Sequence, residues 1–146
     1  MLTLYVNDDI LVTSGVRLRK KIIRRSWIMT NESKKLEIRV SEVLKECGVP
    51  AHIRGYRYVR RAIIIAIENP NISMTKELYP RVANEFETTA SRVERAIRHA
   101  VELAWERGNI DVLNEIFGHS VADKKGKTTN SEFIAMIADK LYLEDK

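Results

Sequence analysis

The chain has 146 residues, 45% of them hydrophobic and 31% charged, with a formal net charge of +5. That length fits one domain of ordinary size plus a short extension, and the apolar fraction supplies one sizeable core. No apolar run reaches the roughly 18 residues that a membrane span needs, and Asp8 and Asp9 stand where a signal peptide would be apolar, so a cytoplasmic protein with no membrane partner is expected.

The single cysteine, Cys47, excludes an internal disulfide and a CxxC metal site, and reads as a small buried thiol. His52, His99 and His119 are not at metal-ligand spacing, and there is no glycine-rich phosphate loop. Asp8 and Asp9 form a lone acidic pair beside turn residues. An enzyme is therefore not expected, nor a catalytic residue, a metal or a cofactor. The charge is uneven: eight of the 25 basic side chains but only three of the 20 acidic ones lie in residues 1–35, so 36–146 holds seventeen of each. The net charge points to an anionic partner only for the N-terminal arm.

In chain order, Leu2, Leu4 and Val6 alternate ahead of the turn residues Asn7, Asp8 and Asp9, which reads as a short strand. Val16, Leu18, Ile22 and Ile23 suggest a basic amphipathic helix, and the polar stretch Thr30 to Lys35 reads as a linker. From Leu36 the apolar period is helical. A helix over 36–47 stops at Gly48 with Pro50 behind it, and a second over 51–68 stops at Asn69-Pro70. A helical turn over 73–79 precedes Pro80, placed as the first residue of a helix over 80–87. After Glu87-Thr88-Thr89 comes the longest periodic segment, 90–107, with Val93, Ala96, Ile97, Ala100, Val101, Ala104 and Trp105 inward. Gly108 ends it, and Asn109 caps a helix over 110–117. A loop over 119–129 carries Lys124, Lys125 and Lys127, and Thr129 with Glu132 is spaced as a capping box for a helix over 130–143.

The expected fold is thus all-α, with residues 1–35 a basic extension (a strand and a basic helix) and 36–146 one helical domain. Within that domain, a short helix, a three-residue break and a longer helix over Tyr79 to Ala104 have helix-turn-helix spacing. Such a pair leaves the outer face of its second helix free to enter a major groove. That face holds Ser91, Arg92, Arg95, Arg98, His99 and Glu102, with Glu94 at its flank. Arg92, Arg95 and His99 recur at i, i+3 and i+7 and line one side. Arginine donates two parallel hydrogen bonds to guanine O6 and N7. Glu94 either accepts from a cytosine amino group or orients Arg98 four residues on. Thr88, Thr89 and the free amides of the helix start suit phosphate. The same face can equally be read as a solvated surface with ordinary ion pairs. Arg54, Arg57, Arg60 and Arg61, interleaved with Tyr56 and Tyr58, either meet backbone phosphates or form a solvated face. The loop lysines leave the same choice open.

Three stretches, GVPAHIRGYRYVRRAI (48–63), LYPRVANEFETTASRVERAIRHAVELAWERGNID (78–111) and TNSEFIAMIADKLYLE (129–144), resemble the C-terminal effector domain of the stage-zero sporulation protein A response regulators. The resemblance implies a six-helix domain built around a helix-turn-helix that binds a short promoter element in double-stranded DNA and regulates transcription at the onset of sporulation. It implies that Arg92, Glu94, Arg95 and His99 face bases or flanking phosphates, and that Arg98 and Lys127 contact the backbone. With Thr89 and Ser91 these form the expected DNA-binding set. A second copy, as a homodimer or in tandem on DNA, and RNA polymerase are the expected protein partners. Thr128 stands where the family has proline, and Arg61 where it tends to have an acidic residue.

Family members also carry a receiver domain of their own. Residues 2–22, LTLYVNDDILVTSGVRLRKKI, are similar to a receiver's first strand, acidic pair and first helix, but the chain lacks the length for the full set of parallel strands. Control by aspartyl phosphorylation is therefore not expected. The alternative function is an interaction protein that pairs with, or competes against, a full-length homologue.

Overall fold

The computed structural model describes the backbone of residues 14–118 and 126–146, and side chains from Thr30 onward. The expected strand at residues 2–6 and the loop lysines Lys124 and Lys125 lie outside the described residues. The chain divides into two units, Met1–Leu36 and Glu37–Lys146, each of which is treated by itself. Among the described residues there are six α-helices and no strand: α1 (Ser14–Glu46), α2 (Arg54–Glu68), α3 (Tyr79–Glu85), α4 (Ala90–Arg107), α5 (Ile110–Phe117) and α6 (Asn130–Glu144).

The first correction concerns α1. Thr30 to Lys35 is not a linker but part of this 33-residue helix. The stretch is polar, yet it contains no glycine or proline, and Glu32, Lys34 and Lys35 are good helix formers, so nothing in it breaks the backbone ladder. The described part of the first unit is helical. In the second unit the last turns of α1 place Val40, Val43 and Leu44 in the core, and Cys47 follows directly after them. Burial, with Glu46 alongside, pushes the Cys47 thiol up to about 12, which leaves it an inert apolar filler.

The helix expected over 51–68 starts three residues later, at Arg54. Ala51 to Ile53 offer no capping side chain, and Ile53 stays extended while its N–H donates to the Pro50 carbonyl at 3.5 Å. Once started, α2 is buried almost all round: Ala62, Ile63, Ile64, Ile65 and Ala66 are each 8% exposed or less. A run of three isoleucines is mediocre for an isolated helix. Burying each such side chain is worth about 1.5–3 kcal/mol, which overrides a propensity deficit of a few tenths. α2 is the shared element of this unit, packing on both α4 and α6.

The expected helical turn at 73–79 is a π-helical turn, Met74–Leu78, in which the Leu78 N–H donates to the Ser73 carbonyl at 2.9 Å. It runs into α3 without a break, so Pro80 is the second residue of that helix rather than the first. α3 ends in a Schellman motif: the Thr88 N–H donates to the Ala83 carbonyl at 2.9 Å and the Glu87 N–H to that of Asn84 at 3.4 Å. The pivot residue of this turn, normally glycine, is Glu87, with φ at +52°. The expected helices over 90–107 and 110–117 have the expected bounds, and Asn109 caps α5 by accepting from the Asp111 N–H at 2.9 Å. Thr129 and Glu132 form the expected capping box at the start of α6. Phe117 stacks on Phe133 at 5.1 Å and meets Trp105 at 5.7 Å, joining α4, α5 and α6.

Backbone-to-backbone approaches fix α4. A Cβ on Gly55 would lie 2.2 Å from the Ala96 carbonyl oxygen, so α2 meets α4 with no side chain between them. Gly48 and Gly108 touch in the same manner, a Cβ on Gly108 falling 2.2 Å from the Cys47 carbonyl oxygen.

Two stability predictions follow from this geometry. Gly55→Ala forces α2 and α4 apart and is expected to cost about 1–3 kcal/mol in urea unfolding; a wild-type midpoint would mean the helices are not in backbone contact. Glu87→Gly removes a strained left-handed residue and is expected to stabilise by about 0.5–1 kcal/mol, read as a raised thermal midpoint. A lowered midpoint would show that the Glu87 side chain contributes more than its backbone costs.

Candidate nucleic-acid interface

The α3–turn–α4 segment is a helix-turn-helix. α4 begins at Thr89, whose hydroxyl oxygen accepts from the Arg92 N–H at 3.3 Å, so the residue expected to meet phosphate is also the N-cap of the helix. Its inward stripe is Val93, Ile97, Ala100, Val101, Leu103 and Ala104. Ala96 and Trp105, expected inward, are half-buried, and Leu103 joins the core. Ala96 is held at the edge because its carbonyl lies under Gly55.

The opposite face carries the expected site residues. Ser91, Arg92, Arg95, Arg98 and His99 are exposed and Glu94 is half-buried. Arg92 and Arg95 form no ion pair among the described residues, so two guanidinium groups with five N–H donors each face solvent. Arg98 differs from them: its Nε donates to Glu94 Oε1 at 3.1 Å, and its terminal nitrogen bonds the same oxygen. This i, i+4 pair, with Glu94 as the main cause, pushes the Arg98 guanidinium further up from its usual range. Of the two roles open to Glu94, the free protein displays the orienting one.

Lys127 sits across from α4, its Nζ 3.3 Å from Glu102 Oε1. The expected backbone-contacting cations, Arg98 and Lys127, are thus each held by a carboxylate of α4. Such exposed pairs are screened by solvent and weak, so a phosphate can displace them. A shallow groove runs beside this face, lined by Thr88, Arg92, Arg95 and His99 from the turn and α4, and by Arg54 and Tyr58 from α2.

A group of positioning residues was not legible in the sequence. The Trp105 indole N–H donates to the Thr128 hydroxyl at 3.0 Å, and Thr128 is 4% exposed. Asn130 Nδ2 donates to the Glu94 carbonyl at 3.1 Å, and its side chain also bonds Tyr79. Burial is the main cause that raises the Tyr79 phenol above its usual range. These bonds tie α3, the start of α6 and the segment before it to the middle of α4. A tryptophan near the core signals that its N–H needs an acceptor, but nothing in the sequence says that the acceptor is 23 residues further on.

Among the described residues no cluster of three His, Cys, Asp or Glu side chains could hold a metal, and no helix is long and apolar enough to cross a membrane. The family model described as sporulation initiation factor Spo0A C terminal matches residues 40–141, more than two thirds of the chain. With the helix-turn-helix, its capped second helix and the match across both, the chain belongs to the Spo0A C-terminal family of DNA-binding regulators of sporulation initiation.

Proposed function

We propose that this chain is a sequence-specific transcription regulator of the sporulation-initiation type that reads the major groove of promoter DNA with α4 and works in the cytoplasm. The observation that carries the reading is the exposed face of α4. Two exposed arginines that form no ion pair among the described residues, Arg92 and Arg95, stand one turn apart directly after the helix-turn-helix turn, with His99 one turn further. Each arginine can hold guanine O6 and N7 with two parallel donors. Ser91 and His99 face bases or the phosphates beside them. Glu94 has two uses, as an acceptor from cytosine or as the partner that aims Arg98. Thr89, Arg98 and Lys127 hold the backbone, the last two by exchanging a carboxylate for a phosphate. Two copies bind in tandem, and the exposed Tyr142 and Leu143 near the end of α6 support that helix as the contact.

DNA binding by these 146 residues is proposed to need no aspartyl phosphorylation on them. What supports this is that the family match, over residues 40–141, is to the C-terminal domain alone. Incubation with a small-molecule phosphodonor is expected to leave no acyl-phosphate by intact mass; a stable adduct of one phosphoryl group would overturn this.

The reading of α4 is tested by selecting duplexes from a random-sequence library and measuring anisotropy against the selected and a scrambled duplex. The expected preference is about a thousandfold or more. Arg92→Ala and Arg95→Ala are each expected to cost about 1–3 kcal/mol on the selected duplex and little on the scrambled one. Equal losses on both would mean that the two side chains touch phosphate alone, and a wild-type chain that prefers neither duplex would sink the proposal.

A further inference from the structure

α2 opens with four arginines that look equivalent in the sequence, and the structure separates them. Arg61 is bound by Glu85 through two bonds of 2.5 and 2.9 Å. Arg60 pairs with Glu37 at 3.2 Å, donates to the Ser41 hydroxyl at 3.3 Å and lies over the Tyr56 ring at 5.5 Å. Those two brace α2 against its neighbours. Arg54 and Arg57 are both exposed and have no ion-pair partner among the described residues. Only Arg54 lines the groove beside α4, together with Arg92, Arg95 and His99. Tyr58 forms part of the same wall, its ring held edge-on to Phe86 at 5.0 Å and 67°.

We infer that Arg54 is a DNA-backbone contact: with α4 in the major groove, it binds a phosphate on the strand that flanks the helix. The inference rests on α4 being the reading helix. The major groove is about 12 Å wide and admits a single helix, with a phosphate strand along either side. A cation on the neighbouring helix, at the rim of the groove beside α4, therefore meets a phosphate rather than a base edge. Gly55 reinforces this placement. By letting α2 touch the backbone of α4 at Ala96, it brings the first turn of α2 as near to the reading face as two helices allow. The groove is cationic, its sole acidic residue being Glu102, which is itself engaged by Lys127. An anion is what such a wall accommodates, and its open form suits a continuous strand rather than an enclosed small ligand.

The test measures anisotropy on the selected and scrambled duplexes across a salt series of about 50 to 200 mM, for wild type, Arg54→Ala, Arg54→Gln and the same-helix control Arg57→Ala. Thermal melts check that each variant is folded, and the glutamine variant keeps the length of the side chain. Loss of one phosphate contact lowers the slope of log K against log salt by about 0.9 and weakens binding about fivefold near 0.15 M salt. Both Arg54 variants are expected to show this on both duplexes, while Arg57→Ala keeps the wild-type slope. A wild-type slope in the Arg54 variants overturns the inference. So does a loss confined to the selected duplex, which would make Arg54 a base reader, or an equal loss in Arg57→Ala, which would reduce the effect to net charge. The slope can be read on either duplex, so a wild type that prefers neither defeats the reading of α4 without hiding the result for Arg54.

Discussion

The orientation of α4 depends on its backbone being reached by other backbone, with no side chain between. At Ala96 the carbonyl of α4 lies under Gly55, and at the end of the helix Gly108 touches Gly48 and the carbonyl of Cys47. Side chains can adapt to a shifted neighbour by changing rotamer, whereas a carbonyl against a Cα has no such freedom. The long helix is thereby fixed near its middle and at its C-terminus by α2 and the end of α1. Its N-terminus is set by the turn that Glu87 makes and by the Thr89 cap. A helix held in this way presents its outer residues in one geometry.

Around this frame, apolar burial and polar pairing do different work. The isoleucines of α2 and the Phe117–Phe133 stack supply the stabilisation, at a few kcal/mol for each buried side chain. The surface ion pairs add little to that. Their consequence is to sort the arginines. Arg60 and Arg61 are consumed in bracing α2, Arg98 is tethered to Glu94, and Arg54, Arg92 and Arg95, which line one groove, form no ion pair among the described residues. Residues 36–146 are neutral in sum, so a cationic groove here depends on where the charges fall rather than on their total.

The hydrogen bonds of Thr128 and Asn130 give the segment before α6 a place in the same design. By accepting from Trp105 and donating to the Glu94 carbonyl, these residues join it to α4. Lys127, one residue away, is thereby carried to within reach of Glu102. The threonine at 128 supplies the hydroxyl acceptor that the Trp105 indole N–H needs.

The sequence by itself determined the helical period from residue 36 onward, the helix-turn-helix spacing, the α5 and α6 caps and the basic face of α4. All of these are local: a 3.6-residue repeat, a Thr129–Glu132 pair and a glycine after Arg107 act within a turn or two of the chain. Two boundaries have only weak local signals. The polar stretch Thr30 to Lys35 lacks an apolar period and so resembles a linker, although it contains no breaker, and the start of α2 carries no signal because Ile53 is not a capping residue. Tertiary structure alone decided that Glu87 takes a glycine's conformation, since the Schellman bonds and the packing of α4 hold it there against its own preference. It alone decided which arginines stay free, because Glu37 and Glu85 lie far along the chain from the groups they engage. Glycine at 48, 55 and 108 reads in sequence as a stop or a weak point in a helix. Only in the fold does the missing side chain become the contact that holds α4 in place.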